Sequence, residues 1–336
     1  MPAPVMAQET LKRAIRQDMA DTWRMDVERE QSRLQGVMQM GIPSDNLQEL
    51  WGYDEPAPMP SDTPWGEEPD SKTYRYKTFT TENRRQTSAV KYNRMHRELG
   101  NLGDLKSDAQ YAGKRFATYP VRVFFQQVTG TVDDRLLPST GLLAPDGVGA
   151  FSTVDGAGAD RFGVTDGNIV SGLTVSTGTG FRSAVMGGII PRFLSFLDPT
   201  EGEPIHEAGE VERGILIVYP ISIYEAAAEA FNLQTQPFAA SSATSNASIS
   251  NIFQDSGINI QLWGTPRLTV ATEIYCFLQG YRIPFMFEHQ AMALQEYFFD
   301  HTNSPAHAKK GEEEMIFEKW SGFGQNLPVM GIKGTA

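Results

Sequence analysis

Between residues 41 and 71 the chain reads GIPSDNLQELWGYDEPAPMPSDTPWGEEPDS, with six prolines and no Lys or Arg. Pro43, Pro56, Pro58, Pro60, Pro64 and Pro69 each fix φ and lack a backbone N–H, so neither a continuous helix nor a central strand is expected here. The prolines and the like charges of the acids favour an extended path. The chain is thereby divided into an N-terminal arm over 1–44, an acidic connector over 45–71 and a larger body. Trp51, Tyr53 and Trp65 are candidate anchors for the connector, and its acids suit a basic segment on another copy.

A basic segment follows at once. Lys72–Arg94, KTYRYKTFTTENRRQTSAVKYNR, holds Lys72, Arg75, Lys77, Arg84, Arg85, Lys91 and Arg94 against one acid, Glu82. The chain as a whole has a formal net charge of −12. Tyr74 and Tyr76 alternate with basic residues, Thr78, Phe79 and Thr80 continue the two-residue period, and TSAVKYN repeats its character. With polar TENRRQ between them, the two runs predict a long β-hairpin with charge at its tip. An isolated two-stranded hairpin is marginal in water, so this one needs a surface to lie on.

The arm predicts an amphipathic helix over 7–40. Leu11, Ile15, Met19, Trp23 and Val27 recur every four residues, with acids and bases alternating between them. Such an arm packs on its own domain, on a neighbouring subunit or on a scaffold.

In the body, Ser107 and Gln110 have the spacing of a capping box and predict a helix start. Ala112, Phe116, Tyr119 and Val123 continue that helix, Pro120 is expected to kink it, and Gly130 to end it. Residues 131–188 are rich in Gly, Thr and Ser and read as short strands and turns. FRSAVMGGIIPRFLSFLD predicts a helix bent at Pro191, RGILIVYP a buried strand, and SIYEAAAEAFN a helix capped by Ser222 with Glu225. QPFAASSATSNASISN is a low-complexity loop. GINIQLWG, RLTVATEIYCFLQG and RIPFMFEH are strands, and EEMIFEKWSGFGQNLPVMGI is a last strand with trailing turns. The class is α+β.

Composition narrows the function. No apolar run approaches the ~20 residues needed to span a bilayer, and mean hydropathy is −0.34. The acidic balance argues against general nucleic-acid binding, although Tyr74, Tyr76 and Tyr92 beside basic residues are the type that stacks on bases. The single cysteine, Cys276, has no local base and reads as a buried structural thiol. His96, His206, His289, His301 and His307 are scattered, with no metal-ligand spacing among them. No phosphate loop, nucleophile elbow or dinucleotide fingerprint is present, so no cofactor, metal or catalytic residue is expected.

The order of elements carries a resemblance. APDGVGAFSTVDGAGADRFGVTDGNIVSG, RFLSFLDPTEGEPIHE, GILIVYPISIYEAAAEAF and ATEIYCFLQG, over roughly 70–336, resemble the Mu-like major head subunit family of tailed phages. That resemblance implies the Hong Kong 97-type fold, with an E-loop hairpin at 72–97 and a P-domain at 98–213 and 310–336 that includes a spine helix at 107–129. The A-domain would occupy 214–309. It implies a major capsid protein assembling as hexamers and pentamers into an icosahedral shell around double-stranded DNA, formed in the host cytoplasm. Portal, scaffold or protease, and decoration proteins are the implied further partners, with no membrane. Lys72, Tyr74, Arg75, Tyr76, Lys77, Arg84, Arg85, Lys91 and Arg94 would contact a neighbour, and Leu11, Ile15, Met19 and Trp23 would pack the arm. An encapsulin-like compartment and an unrelated soluble enzyme are the alternatives.

Overall fold

The computed structural model describes residues 32–54, 76–93, 103–131, 143–198, 202–232, 235–237, 248–250, 258–279, 284–299, 304 and 311–336, with eight helical positions between 10 and 25. Two sheets and one long helix organise the chain. A four-stranded sheet has the order β1-β11-β12-β4. Its strands are β1 (Met38–Pro43), β4 (Arg84–Asn93), β11 (Met286–Phe299) and β12 (Glu312–Gln325). A five-stranded sheet has the order β5-β13-β10-β6-β9. It comprises β5 (Ile169–Val170), β6 (Ile215–Pro220), β9 (Ile260–Thr265), β10 (Glu273–Leu278) and β13 (Gly331–Thr335). β2 (Gln48–Asp54) pairs antiparallel with β3 (Tyr76–Glu82), and β7 (Thr235–Pro237) with β8 (Ser248–Ser250).

The long helix α1 (Gly103–Thr129) joins the two cores. Ala109, Ala112 and Phe116 of its first half pack with Val90 and Tyr92 of β4 and Met315 and Phe317 of β12. Val121, Val123, Phe124, Phe125 and Val128 of its second half enter the larger core with Ile217, Phe277 and Trp263. Phe124 lies 5.3 Å from Phe277 and 6.2 Å from Trp263, ring centre to ring centre. Burying each such ring contributes about 1.5–3 kcal/mol. Burial on both sides outweighs the expected break at Pro120, which costs about 3 kcal/mol, and the helix runs through it. Ser107 lies inside α1, four residues past its start, and is not its N-cap. Gly130 ends the helix at φ +66, a left-handed conformation that favours glycine.

Helices α2 (Gly178–Ser183), α3 (Ile190–Leu194), α4 (Ala208–Arg213) and α5 (Tyr224–Asn232) complete the body. The bend expected at Pro191 is a π-helical turn, Ala184–Ile189, immediately before it. Ser222 sits in a 3-10 turn, Ile221–Ile223, ahead of α5. The reciprocal capping box belongs instead to Glu207 and Glu210 of α4. β6 is buried at every position, as its unbroken apolar run predicts. The trailing residues after β12 form a further strand, β13, beside β10.

Three expectations are corrected. The arm is helical at Thr10, Arg13, Ala14, Gln17, Asp18, Asp21, Thr22 and Met25, yet no helix extends to 40. A 3-10 turn, Ser32–Leu34, is followed by Gly36 at φ +88 and then by β1. The connector is not free of sheet, since β2 occupies the proline-free stretch 48–54. The predicted hairpin of 72–94 does not pair with itself. Only Asn83 separates β3 from β4, and the two strands join different sheets, β3 with β2 and β4 with β12. The hairpin is β2–β3.

Candidate assembly interface

β2 and β3 pair from Gln48↔Glu82 to Asp54↔Tyr76, leaving residues 55–75 between their far ends. The foot of this hairpin is held by polar groups. Asn83, 3% exposed, donates from its backbone N–H to Leu47 O at 2.8 Å. Its Nδ2 donates to Ser44 Oγ at 2.8 Å and to Asn46 O at 2.6 Å. Ser44 Oγ donates to Glu49 Oε1 at 2.8 Å, and that bond, the largest influence, holds the Glu49 carboxyl below the usual carboxylate range. Thr81 meets the buried His289 of β11 through a short hydrogen bond. Burial pushes the His289 imidazole down to about 4, against the smaller opposing pull of Glu49.

Two glycines of β12 let this foot seat on the four-stranded sheet. A Cβ at Gly322 would fall 2.8 Å from the backbone oxygen of Glu82. One at Gly324 would fall 2.5 Å from Phe287 Cζ and 2.7 Å from Thr81 Cγ2. A glycine inside a strand here marks close approach of another segment.

The basic residues of β4 find acids on their own chain. Arg85 Nη2 donates to Glu318 Oε2 at 2.6 Å, and Lys91 lies 3.4 Å from Glu314. Glu318 is held below the usual carboxylate range by hydrogen bonds from Arg85 and then Trp320. Arg84 lies 3.7 Å from Glu82. Tyr76 and Lys77 are in β3, opposite Asp54 and Tyr53. Lys72, Tyr74, Arg75 and Arg94, and the arm residues Leu11, Ile15, Met19 and Trp23, lie outside the described residues. The structure therefore brings Arg84, Arg85 and Lys91 together along β4, with their first partners in β12 and β3.

A groove of about 310 Å³ runs between β4 and α1. Arg85 and Ser88 line one wall, and Arg115, Phe116, Tyr119 and Arg122 the other. Arg115 and Arg122 went unnoticed in the sequence because α1 reads there by its apolar stripe. Their seven-residue spacing was the available signal, since residues two turns apart share a helix face. Cys276 is fully buried in β10, where burial pushes its thiol up, and fits a structural thiol. Among the described residues no group of three His, Cys, Asp or Glu is placed to hold a metal ion. No described helix is long and apolar enough to cross a membrane.

No protein-family model matches the sequence, and no curated protein matches it. The fold has counterparts among solved structures. The capsid of the cyanophage P-SCSP1u aligns with a TM-score of 0.53 at 12% identity, over 89% of this chain and 86% of that one. The capsid of Ralstonia phage GP4 aligns with a TM-score of 0.52 at 15% identity, over 89% of this chain and 87% of that one. The chain has the fold of tailed-phage capsid proteins. The mature capsid of bacteriophage PhiM1 shares it, with a TM-score of 0.50 at 9% identity over 89% of this chain and 85% of that one. The two sheets, the long helix α1 and the β2–β3 hairpin are the parts of this Hong Kong 97-type fold among the described residues. β11 lies within 214–309 but pairs with β12, and β13 lies within 310–336 but pairs with β10, so the two sheets interleave across the expected domain boundary.

Proposed function

We propose that the chain is the major capsid protein of a tailed phage, copies of which close as hexamers and pentamers into an icosahedral shell around double-stranded DNA. The carrying observation is a capsid fold that spans about nine-tenths of the chain, 89% in the alignments with two phage capsids. The β2–β3 hairpin supports the same reading, because two strands outside the main sheets gain little stability alone and suit a surface on another copy. The basic residues Lys72 to Arg94 and the tyrosines Tyr74 and Tyr76 are the contacts proposed between copies, charge steering the encounter and the rings packing. The helical arm carrying Leu11, Ile15, Met19 and Trp23 packs on a neighbour or the inner wall. The division into a P-domain and an A-domain is part of this proposal, with portal, scaffold or protease, and decoration proteins as the proposed further partners. The net charge of −12 keeps the wall from adhering to packaged DNA. Negative-stain electron microscopy of the expressed chain tests the reading: closed shells of uniform size support it, and dispersed monomers refute it.

A further inference from the structure

The outward face of α1 carries charge of one sign. From Ala109 to Thr129 the helix holds Lys114, Arg115 and Arg122 and no acid, in a chain whose formal net charge is −12. All three cations are exposed, and Arg122 emerges from a stretch, 120–128, whose other residues are buried. Among the described residues none of the three has an ion-pair partner, whereas Arg85 and Lys91 of β4 are paired with Glu318 and Glu314. Seven residues are two helical turns, so Arg115 and Arg122 share a face about 10.5 Å apart along the axis. Tyr111, 65% exposed, stands one turn before Arg115 on that face.

The chemistry of this strip selects its ligand. The large apolar side chains of α1, Phe116, Val121, Val123, Phe124 and Phe125, are spent on the two cores, so the outward face has no apolar patch of the kind that centres a protein interface. Its charged groups only donate hydrogen bonds. The adjoining groove adds the side chains of Gln86, Thr87, Ser88 and Tyr119 and no carboxylate. Guanidinium, ammonium, hydroxyl and amide groups are the usual donors to the phosphates of a nucleic-acid backbone, which only accept. Three steps along one strand of a duplex rise about 10 Å, close to the separation of Arg115 and Arg122.

We propose that the outward face of α1, with Lys114, Arg115 and Arg122, is a sequence-independent seat for the phosphate backbone of double-stranded DNA, turned toward the interior of the shell. The proposal rests on the shell reading, which supplies the duplex. It goes beyond that reading in confining DNA contact to one basic strip on a wall whose net charge elsewhere repels DNA. It also gives Arg115 and Arg122 a task that the basic run of 72–94 does not perform.

Fluorescence anisotropy with a DNA duplex of arbitrary sequence tests it on the purified full chain before assembly. The affinity of the unaltered chain should fall about fortyfold between about 50 and 200 mM salt, the dependence that three neutralised phosphates give. K114Q/R115Q/R122Q should bind at least tenfold more weakly at the lower salt and lose most of that dependence. R122Q alone, a change at one exposed side chain, should reduce the logarithmic salt slope by about 0.9, so the result does not hang on how the triple variant folds. R115K/R122K keeps the charge and should bind within about threefold of the unaltered chain, and R213Q, an exposed site on α4, should bind as the unaltered chain does. Unchanged binding by the triple variant together with an unchanged slope for R122Q overturns the proposal, whether or not these variants still form particles. Closed particles free of DNA should not bind the added duplex, and particles that bind it through these residues would place the strip outside, which also overturns the proposal. Particle formation by the unaltered chain separates the two proposals: without particles the shell reading fails, and with particles but no duplex binding before assembly only the DNA seat fails.

Discussion

Arg85 donates to Glu318 at 2.6 Å from the residue position facing Trp320 across the β4–β12 ladder, so part of the basic surplus is neutralised by its own chain. The pair ties the outer strand of the four-stranded sheet to its neighbour. A guanidinium this exposed to water contributes little in such a pair, because solvent screens it. Arg85→Glu should therefore lower the urea midpoint modestly, and Glu318→Arg on that background should recover it. The Arg84 and Arg85 double reversal should weaken assembly more at low ionic strength, where repulsion is least screened. Normal assembly at low salt would show that these two charges act only within the chain.

The hairpin foot predicts a steric effect. Gly322→Ala places a Cβ against the backbone oxygen of Glu82, which cannot rotate away. The cost should be about 1–3 kcal/mol, concentrated on β2–β3. Hydrogen exchange should show faster amides at 47–49 and 80–83 with little change in β6 and β10. Uniform protection in the variant would mean that the foot shifts freely.

Acid should weaken the fold through buried histidines. Burial holds His289 and His206 neutral, with His289 down to about 4. The unfolded chain takes up protons below about 6.5 and the folded chain resists, so stability is full above that pH and is lost as pH falls toward 4. For His289 the difference is worth up to about 3 kcal/mol. His289→Gln should flatten the decline of the melting temperature between pH 6.5 and 4. An unchanged slope would move the acid sensitivity to His206 and the carboxylates.

Truncation separates the arm from the core. Leu34, Val37 and Met38 are buried in the main cluster, and Met38 pairs with Met286. Deleting residues 1–31 should leave the melting temperature nearly unchanged while impairing assembly. Deleting 1–40 should also destabilise the fold by several kcal/mol, since each large buried apolar side chain lost costs about 2–5 kcal/mol. Equal stability of the two truncations, measured by urea unfolding, would contradict the packing of β1.

Local pattern carried much of the fold into view. β6 and β10 are legible as apolar runs, only the first four residues of β11 as a strand, and α1 as a helix ending at Gly130. What stayed hidden depends on long-range choice. The two-residue period marks β3 and β4 as strands, but nothing in TENRRQ says that Asn83 turns the chain between sheets. β2 was obscured by the prolines that follow it, although none falls within Gln48–Asp54. The pairing of Glu314 and Glu318 with β4 joins residues more than two hundred positions apart. Of the interface, the basic strand was visible and the groove was not, because Arg115 and Arg122 become neighbours of Arg85 only after α1 packs on β4.

Sedimentation velocity on the purified, unaltered chain tests the central claim most directly. A shell subunit predicts a dominant boundary of uniform megadalton particles together with free capsomers. A single species near 37.2 kDa at every protein and salt concentration would contradict it.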